Sequence, residues 1–216
     1  MSQRIIETEA DIDAGTRALI AACGHMARAH EVAGPPPLRR REPGFEGLAR
    51  IIVGQQLSVA SAGAIWTRLE ALVAPFEAPV LAAKSDKALR AAGLSGGKIR
   101  TLRGIADAIT ANELKLERLS KEADETIHER LTALKGVGPW TADVYVMFCL
   151  GRADAWAPGD LALQYAVADL MALDQRPDIA EMDEIAERWR PWRGVAARML
   201  WAYYRERKNA GSGVPV

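Results

Sequence analysis

Apolar residues along this chain recur at spacings of three and four, the signature of helices with one buried face. Ala-rich stretches of this kind cover 11–30, 44–73, 86–92, 98–111, 123–134, 140–150, 160–173 and 182–204. Four breaks interrupt the spacing: Pro35-Pro36-Pro37, Gly93-Leu94-Ser95-Gly96-Gly97, Gly136-Val137-Gly138-Pro139 and Ala157-Pro158-Gly159. Proline lacks the N–H that a helix interior needs, and glycine weakens helices, so each break marks a turn. Pro191 divides the last stretch and predicts a helix junction at 189–192. Strand signals are scarce: alternation is short, β-branched residues are few, and no Asn-Gly hairpin turn occurs. The pattern predicts an all-α chain with a frayed tail at 209–216.

At 216 residues the chain has room for one large domain or two small ones. Hydrophobic residues are 49% and charged residues 26%, too apolar for wholesale disorder. No apolar run approaches the roughly 18 residues of a membrane span. The acidic start, MSQRIIETEADID, has no apolar core and reads as no secretory signal, which predicts a cytoplasmic protein without membrane contact. Cys23 and Cys149 lie far apart and form no CxxC pair, which argues against a disulfide framework, a zinc site and a four-cysteine cluster. Net charge is zero, so no global basic signature for nucleic acid exists. The charges are uneven, however. Arg39, Arg40 and Arg41 cluster, as do Lys98, Arg100 and Arg103, and a neutral sum can conceal one basic face.

The most informative segment is Leu131-Thr-Ala-Leu-Lys-Gly-Val-Gly-Pro-Trp-Thr-Ala-Asp-Val-Tyr-Val-Met. One helix ends at Leu134 and a second begins near Pro139, which suits a first helical turn. Gly136 and Gly138 permit positive φ and let the backbone approach another surface. The turn's N–H groups and the following helix N-terminus make an anion site that fits a DNA phosphate. Taken alone, the two glycines fit an ordinary helical hairpin better, because short glycine patterns are weak evidence.

The whole string is more specific. It resembles the helix–hairpin–helix of the DNA glycosylase superfamily. Asp154-Ala-Trp-Ala-Pro-Gly-Asp-Leu-Ala-Leu resembles that family's Gly/Pro-rich stretch and aspartate, with Asp160 at the catalytic position. Ile51-Ile-Val-Gly-Gln-Gln-Leu-Ser-Val-Ala is similar to its early helix and minor-groove loop. Trp189-Arg-Pro-Trp-Arg-Gly-Val-Ala-Ala-Arg-Met-Leu-Trp is similar to the last helices of the 3-methyladenine glycosylase II branch. The resemblance covers 44–204, with four motifs in the expected order.

It implies two helical subdomains flanking a cleft: 44–120 with a wedge loop, 121–175 with the hairpin and Asp160, and 1–43 with 176–208 completing the second subdomain. Some members of this branch carry an N-terminal β-rich domain, for which these 216 residues have no segment. The implied activity is hydrolysis of the N-glycosidic bond of alkylated bases in double-stranded DNA, by a monomer and without a required cofactor. The alternative is a helix–hairpin–helix module that grips DNA without catalysis.

Base excision gives the sugar oxocarbenium character, which a fixed carboxylate stabilises while orienting water. Asp160 would supply it. An aspartate opening the helix that follows Pro158-Gly159 is also a natural N-cap, and the two roles can coexist. Bifunctional relatives place a lysine nucleophile where this chain has Trp140, which implies a monofunctional enzyme. Trp140 would face a cationic alkylated purine, with Trp201 and Tyr145 as further pocket walls by resemblance. Trp201 could equally be core packing, and Tyr145 is the weaker candidate of the two. Gln56, within Gln55-Gln56-Leu57, would fill the gap left by the flipped base, with Leu57 beside it and Gln55 as a structural hydrogen-bonder. Lys98 is either a phosphate contact in a second DNA loop or a solvated lysine. Family hairpins can hold a monovalent cation, Na+ or K+, through carbonyls that correspond here to Thr132, Leu134 and Val137.

Overall fold

A computed structural model describes residues 4–211; Met1–Gln3 and the greater part of the expected tail lie outside them. Among the described residues the secondary structure is helical, apart from one isolated antiparallel bridge between Ile5 and Arg152. The chain divides into two units, one of residues 1–40 with 151–216 and one of residues 41–150. The hairpin therefore belongs to the second unit and Asp160 to the first.

The helices in chain order are α1 (Glu9–Ala22), α2 (Gly24–Ala33), α3 (Phe45–Gly54), α4 (Val59–Leu72), α5 (Ala78–Ala82) and α6 (Asp86–Ala91). They continue with α7 (Gly96–Thr110), α8 (Asp124–Thr132), α9 (Pro139–Phe148), α10 (Leu161–Leu170), α11 (Ile179–Ala186) and α12 (Arg193–Asn209). The stretch 11–30, expected as one helix, breaks at Cys23, whose φ of −145° and ψ of 112° are extended. Gly24 follows it, and glycine's freedom makes this a weak point in a helix. The helix α5 had no counterpart in the periodicity; five residues are too few to show one.

Capping explains several starts. Thr8 and Asp11 form a reciprocal capping box on α1, and Asp178 with Glu181 forms another on α11. Ser58, Ser85 and Ser95 cap α4, α6 and α7 with their hydroxyls.

In the first unit α12 is the central helix, packed by α1, α2 and α10. Nine of its residues from Gly194 to Tyr203, Arg198 among them, are buried, so it is enclosed on nearly every side there. In the second unit α3 packs on α4, α7 and α9, while α8 and α9 pair as the hairpin. Leu48, Ile51, Ile52 and Val53 of α3 and Ala142, Val144 and Met147 of α9 are buried in that core.

Candidate functional site

The segment 154–160 is fastened to α12 and the turn before it. Both oxygens of Asp154 accept from Arg193, at 3.0 Å from Nε and 3.0 Å from Nη2, and Arg190 also donates to Asp154. A two-pronged guanidinium–carboxylate contact fixes orientation as well as distance. Trp156 meets Trp189 edge-on, with ring centroids 5.4 Å apart. Gly194 lets α12 begin directly on this backbone: its N–H donates to Ala153 at 2.8 Å, and an added Cβ would lie 3.0 Å from that same carbonyl oxygen. Two sequence motifs separated by about thirty residues thus converge.

At the end of the segment, Asp160 is the N-cap of α10. Its Oδ1 accepts from the Leu163 amide at 3.0 Å and from Trp201 Nε1 at 3.1 Å. Asp160 as a whole residue is 9% exposed, so it is held by the fold. Burial raises the Tyr204 pKa, and Tyr165 and Asp160 nearby raise it further. Gln164, one turn into α10, is buried and donates to the Pro158 carbonyl at 2.8 Å while accepting from Arg176 at 2.8 Å. No motif points to Gln164; only its burial reveals that it braces the turn before Asp160. Trp201 stands near Asp160 as a hydrogen-bond donor, a relationship that aromatic pocket-wall logic does not supply.

In the second unit, Gly138 caps α9 and Pro139 opens it, placing the half-buried Trp140 in the first helical turn. The two hairpin glycines differ. Gly136 has a φ of +88°, and a Cβ there would fall 2.0 Å from Thr101 Oγ1 on α7, so the glycine is needed for packing. Gly138 has an ordinary φ of −95°, and its Cβ direction is open for at least 4 Å. Lys135 is exposed in the same turn. The Leu134 carbonyl accepts from Val137 N–H at 3.0 Å; among the described turn hydrogen bonds none ends on the carbonyls of Thr132 or Val137. A carbonyl oxygen has two lone pairs, so this trio has the donor chemistry that a monovalent cation uses.

Tyr145 is corrected from pocket wall to core. It presents no accessible surface, and its hydroxyl accepts from Gly44 N–H at 2.9 Å, tying α9 to the start of α3. Burial drives its pKa far upward.

The turn after α3 presents Gln56 to solvent at a φ of +56°, with Leu57 39% exposed. Gln55 does act structurally: its Nε2 donates to Thr141 Oγ1 on α9 at 2.8 Å. The ammonium of Lys98 donates to the carbonyls of Val53 at 2.8 Å and Gln55 at 2.9 Å. Its charge is therefore engaged with protein, and burial lowers its pKa. Arg103 of the same cluster is likewise engaged, with Asp86 and the Ala82 carbonyl, leaving Arg100 on the surface. The basic face expected from this cluster is much reduced.

The model of the HhH-GPD superfamily of base excision DNA repair proteins matches residues 49–191, a span that includes the turn after α3, the hairpin and Asp160. The chain belongs to this superfamily. It is 31% identical over 168 residues to DNA-3-methyladenine glycosylase 1 of Schizosaccharomyces pombe, covering 76% of this chain and 73% of that one. It is 26% identical to DNA-3-methyladenine glycosylase 2 of Escherichia coli, over 73% of this chain and 56% of that protein. Among solved structures, the S. pombe 3-methyladenine DNA glycosylase in complex with abasic DNA superposes with a TM-score of 0.80 at 27% identity, covering 87% of this chain and 94% of that one. A DNA-3-methyladenine glycosidase from Bacillus halodurans superposes with a TM-score of 0.74 at 30% identity, covering 94% of this chain and 93% of that one. The all-α glycosylase architecture of this HhH-GPD protein is thus shared over most of its length.

Proposed function

We propose that this HhH-GPD protein is a monofunctional DNA glycosylase that hydrolyses the N-glycosidic bond of alkylated, 3-methyladenine-type bases in double-stranded DNA. The observation that carries the reading is the seat of Asp160: a carboxylate at a helix N-terminus, oriented by an amide and an indole N–H on one oxygen. The names of its relatives favour alkylated bases as the substrate.

In this mechanism the C1′–N bond breaks with the base as leaving group, and positive charge grows on the sugar. Asp160 stabilises that charge, and water adds at C1′ with its proton passing to the carboxylate. A positively charged alkylated base leaves readily, so no general acid is required. Trp140 offers an indole face to such a base, because the negative face of the ring attracts cations. The hairpin grips a phosphate with its amide groups around Gly138, where the open Cβ direction leaves room for a backbone contact. Gln56 enters the stack in place of the flipped base, with Leu57 beside it. A cation held by the carbonyls of Thr132, Leu134 and Val137 would add positive charge beside that phosphate. The same reading makes the enzyme a monomer working in the compartment that holds the DNA, the cytoplasm of a bacterial-type cell. In the described residues no helix is long and apolar enough to cross a membrane.

Asp160→Asn tests the reading. Asparagine preserves the cap, so the fold and duplex affinity are expected to remain while base release from 3-methyladenine-containing DNA falls by about 100-fold or more. Full release by this variant would remove Asp160 from the chemistry.

A further inference from the structure

We infer that Lys98 is a positioning residue for the wedge turn, acting on DNA through Gln56 and not as a phosphate contact. The inference rests on the reading of Gln56 as the wedge, and deepens it. A non-glycine residue at a φ of +56° is in a sparsely populated region and persists only where its surroundings hold it. Gln56 is exposed, so the restraint must come from its neighbours.

Lys98 supplies it from behind. Its ammonium bridges Val53 and Gln55, two carbonyls at the end of α3 where the helix dipole is negative. Its own position argues the same way. Lys98 lies in the first turn of α7, where the dipole disfavours a cation, and the α3 carbonyls offset that cost. One turn further along α7, Thr101 packs against Gly136 of the hairpin. Residues three apart share a helix face, so one face of α7 sets both the wedge turn and the hairpin. The bond from Gln55 to Thr141 closes the circuit through α9. Wedge and hairpin are therefore braced against each other within the second unit before DNA arrives.

The test compares Lys98→Met, which keeps the aliphatic stem, with Lys98→Arg, which keeps donors and charge. Hydrogen exchange of the full-length protein should show faster amide exchange at 53–58 in Lys98→Met, with 133–138 unchanged, and near-normal exchange in Lys98→Arg. Single-turnover release of 3-methyladenine by Lys98→Met should fall about tenfold from fully paired duplex but at most about twofold from a mismatched site, since loss of a charge-assisted bond loosens only the wedge. The salt dependence of duplex binding should be unchanged, whereas loss of one phosphate contact would lower the log–log slope by about 0.9. A slope reduced by that amount, with equal loss on all DNA, would overturn the inference, as would unchanged exchange at 53–58. Gln56→Ala is the companion variant. If it slows paired and mismatched substrates equally, the wedge reading fails, while the exchange result still decides whether Lys98 holds the turn.

Discussion

The indole N–H of Trp201 donates to Oδ1 of Asp160 at 3.1 Å, linking α12 to the first residue of the α10 cap. Trp201→Phe keeps an aromatic ring, though a smaller one, and removes this donor. The expected outcome is about a tenfold slower single-turnover base release at unchanged affinity for undamaged duplex, the size of one hydrogen bond to a charged group. An unchanged rate would reduce Trp201 to packing.

No lysine occupies the first turn of α9, where Trp140 stands. Borohydride reduction during turnover is expected to trap no covalent protein–DNA adduct, because the indole of Trp140 has no amine to form an imine with a sugar. Efficient trapping, visible as a shifted band on a denaturing gel, would identify a nucleophile elsewhere.

The two hairpin glycines should separate fold from binding. Gly136→Ala forces a Cβ into Thr101 at a positive φ and is expected to lower stability by on the order of 1–3 kcal/mol. Gly138→Ala meets open space, so its melting temperature should stay close to that of the parent while duplex affinity falls several-fold, as about one obstructed phosphate contact implies. Thermal melts and fluorescence anisotropy on both variants check the contrast.

Asp169 accepts from Arg207 Nε at 2.8 Å and from Tyr203 at 2.6 Å, and the Arg207 contact is the main cause of its lowered pKa. A carboxyl whose folded pKa lies below its ordinary 3.8 binds fewer protons folded than unfolded, so it stabilises the protein at neutral pH. That contribution is lost as pH falls below the ordinary value and through the folded one. Asp169→Asn should therefore be less stable than the parent near neutrality, with the gap narrower at a pH below the ordinary 3.8. Urea titrations at both pH values measure it, and a gap independent of pH would rule out the linkage.

Much of this molecule was legible before any coordinates. Helix period and Pro/Gly breaks located most helices, because buried stripes repeat every three to four residues. The family motifs single out Asp160, Trp140 and the turn at 55–57 as the residues to test. Less visible were partnerships across sequence distance. Lys98 reads as a surface cation until the α3 carbonyls are seen above it, and Gln164 carries no motif at all. Tyr145 misled for the opposite reason: an aromatic beside the hairpin looks like a pocket wall, and only burial identifies it as core. Zero net charge was similarly opaque, since several basic residues are occupied within the protein.

Asp160 both caps a helix and carries the proposed chemistry, which ties folding to activity in any lineage that descends from this chain. Random drift to alanine would forfeit the cap together with the reaction. Drift to asparagine or serine would silence the reaction and leave a sound scaffold. Retired copies of such an enzyme, if they survive, should therefore carry a small polar residue at that spot, still able to recognise damage they no longer remove.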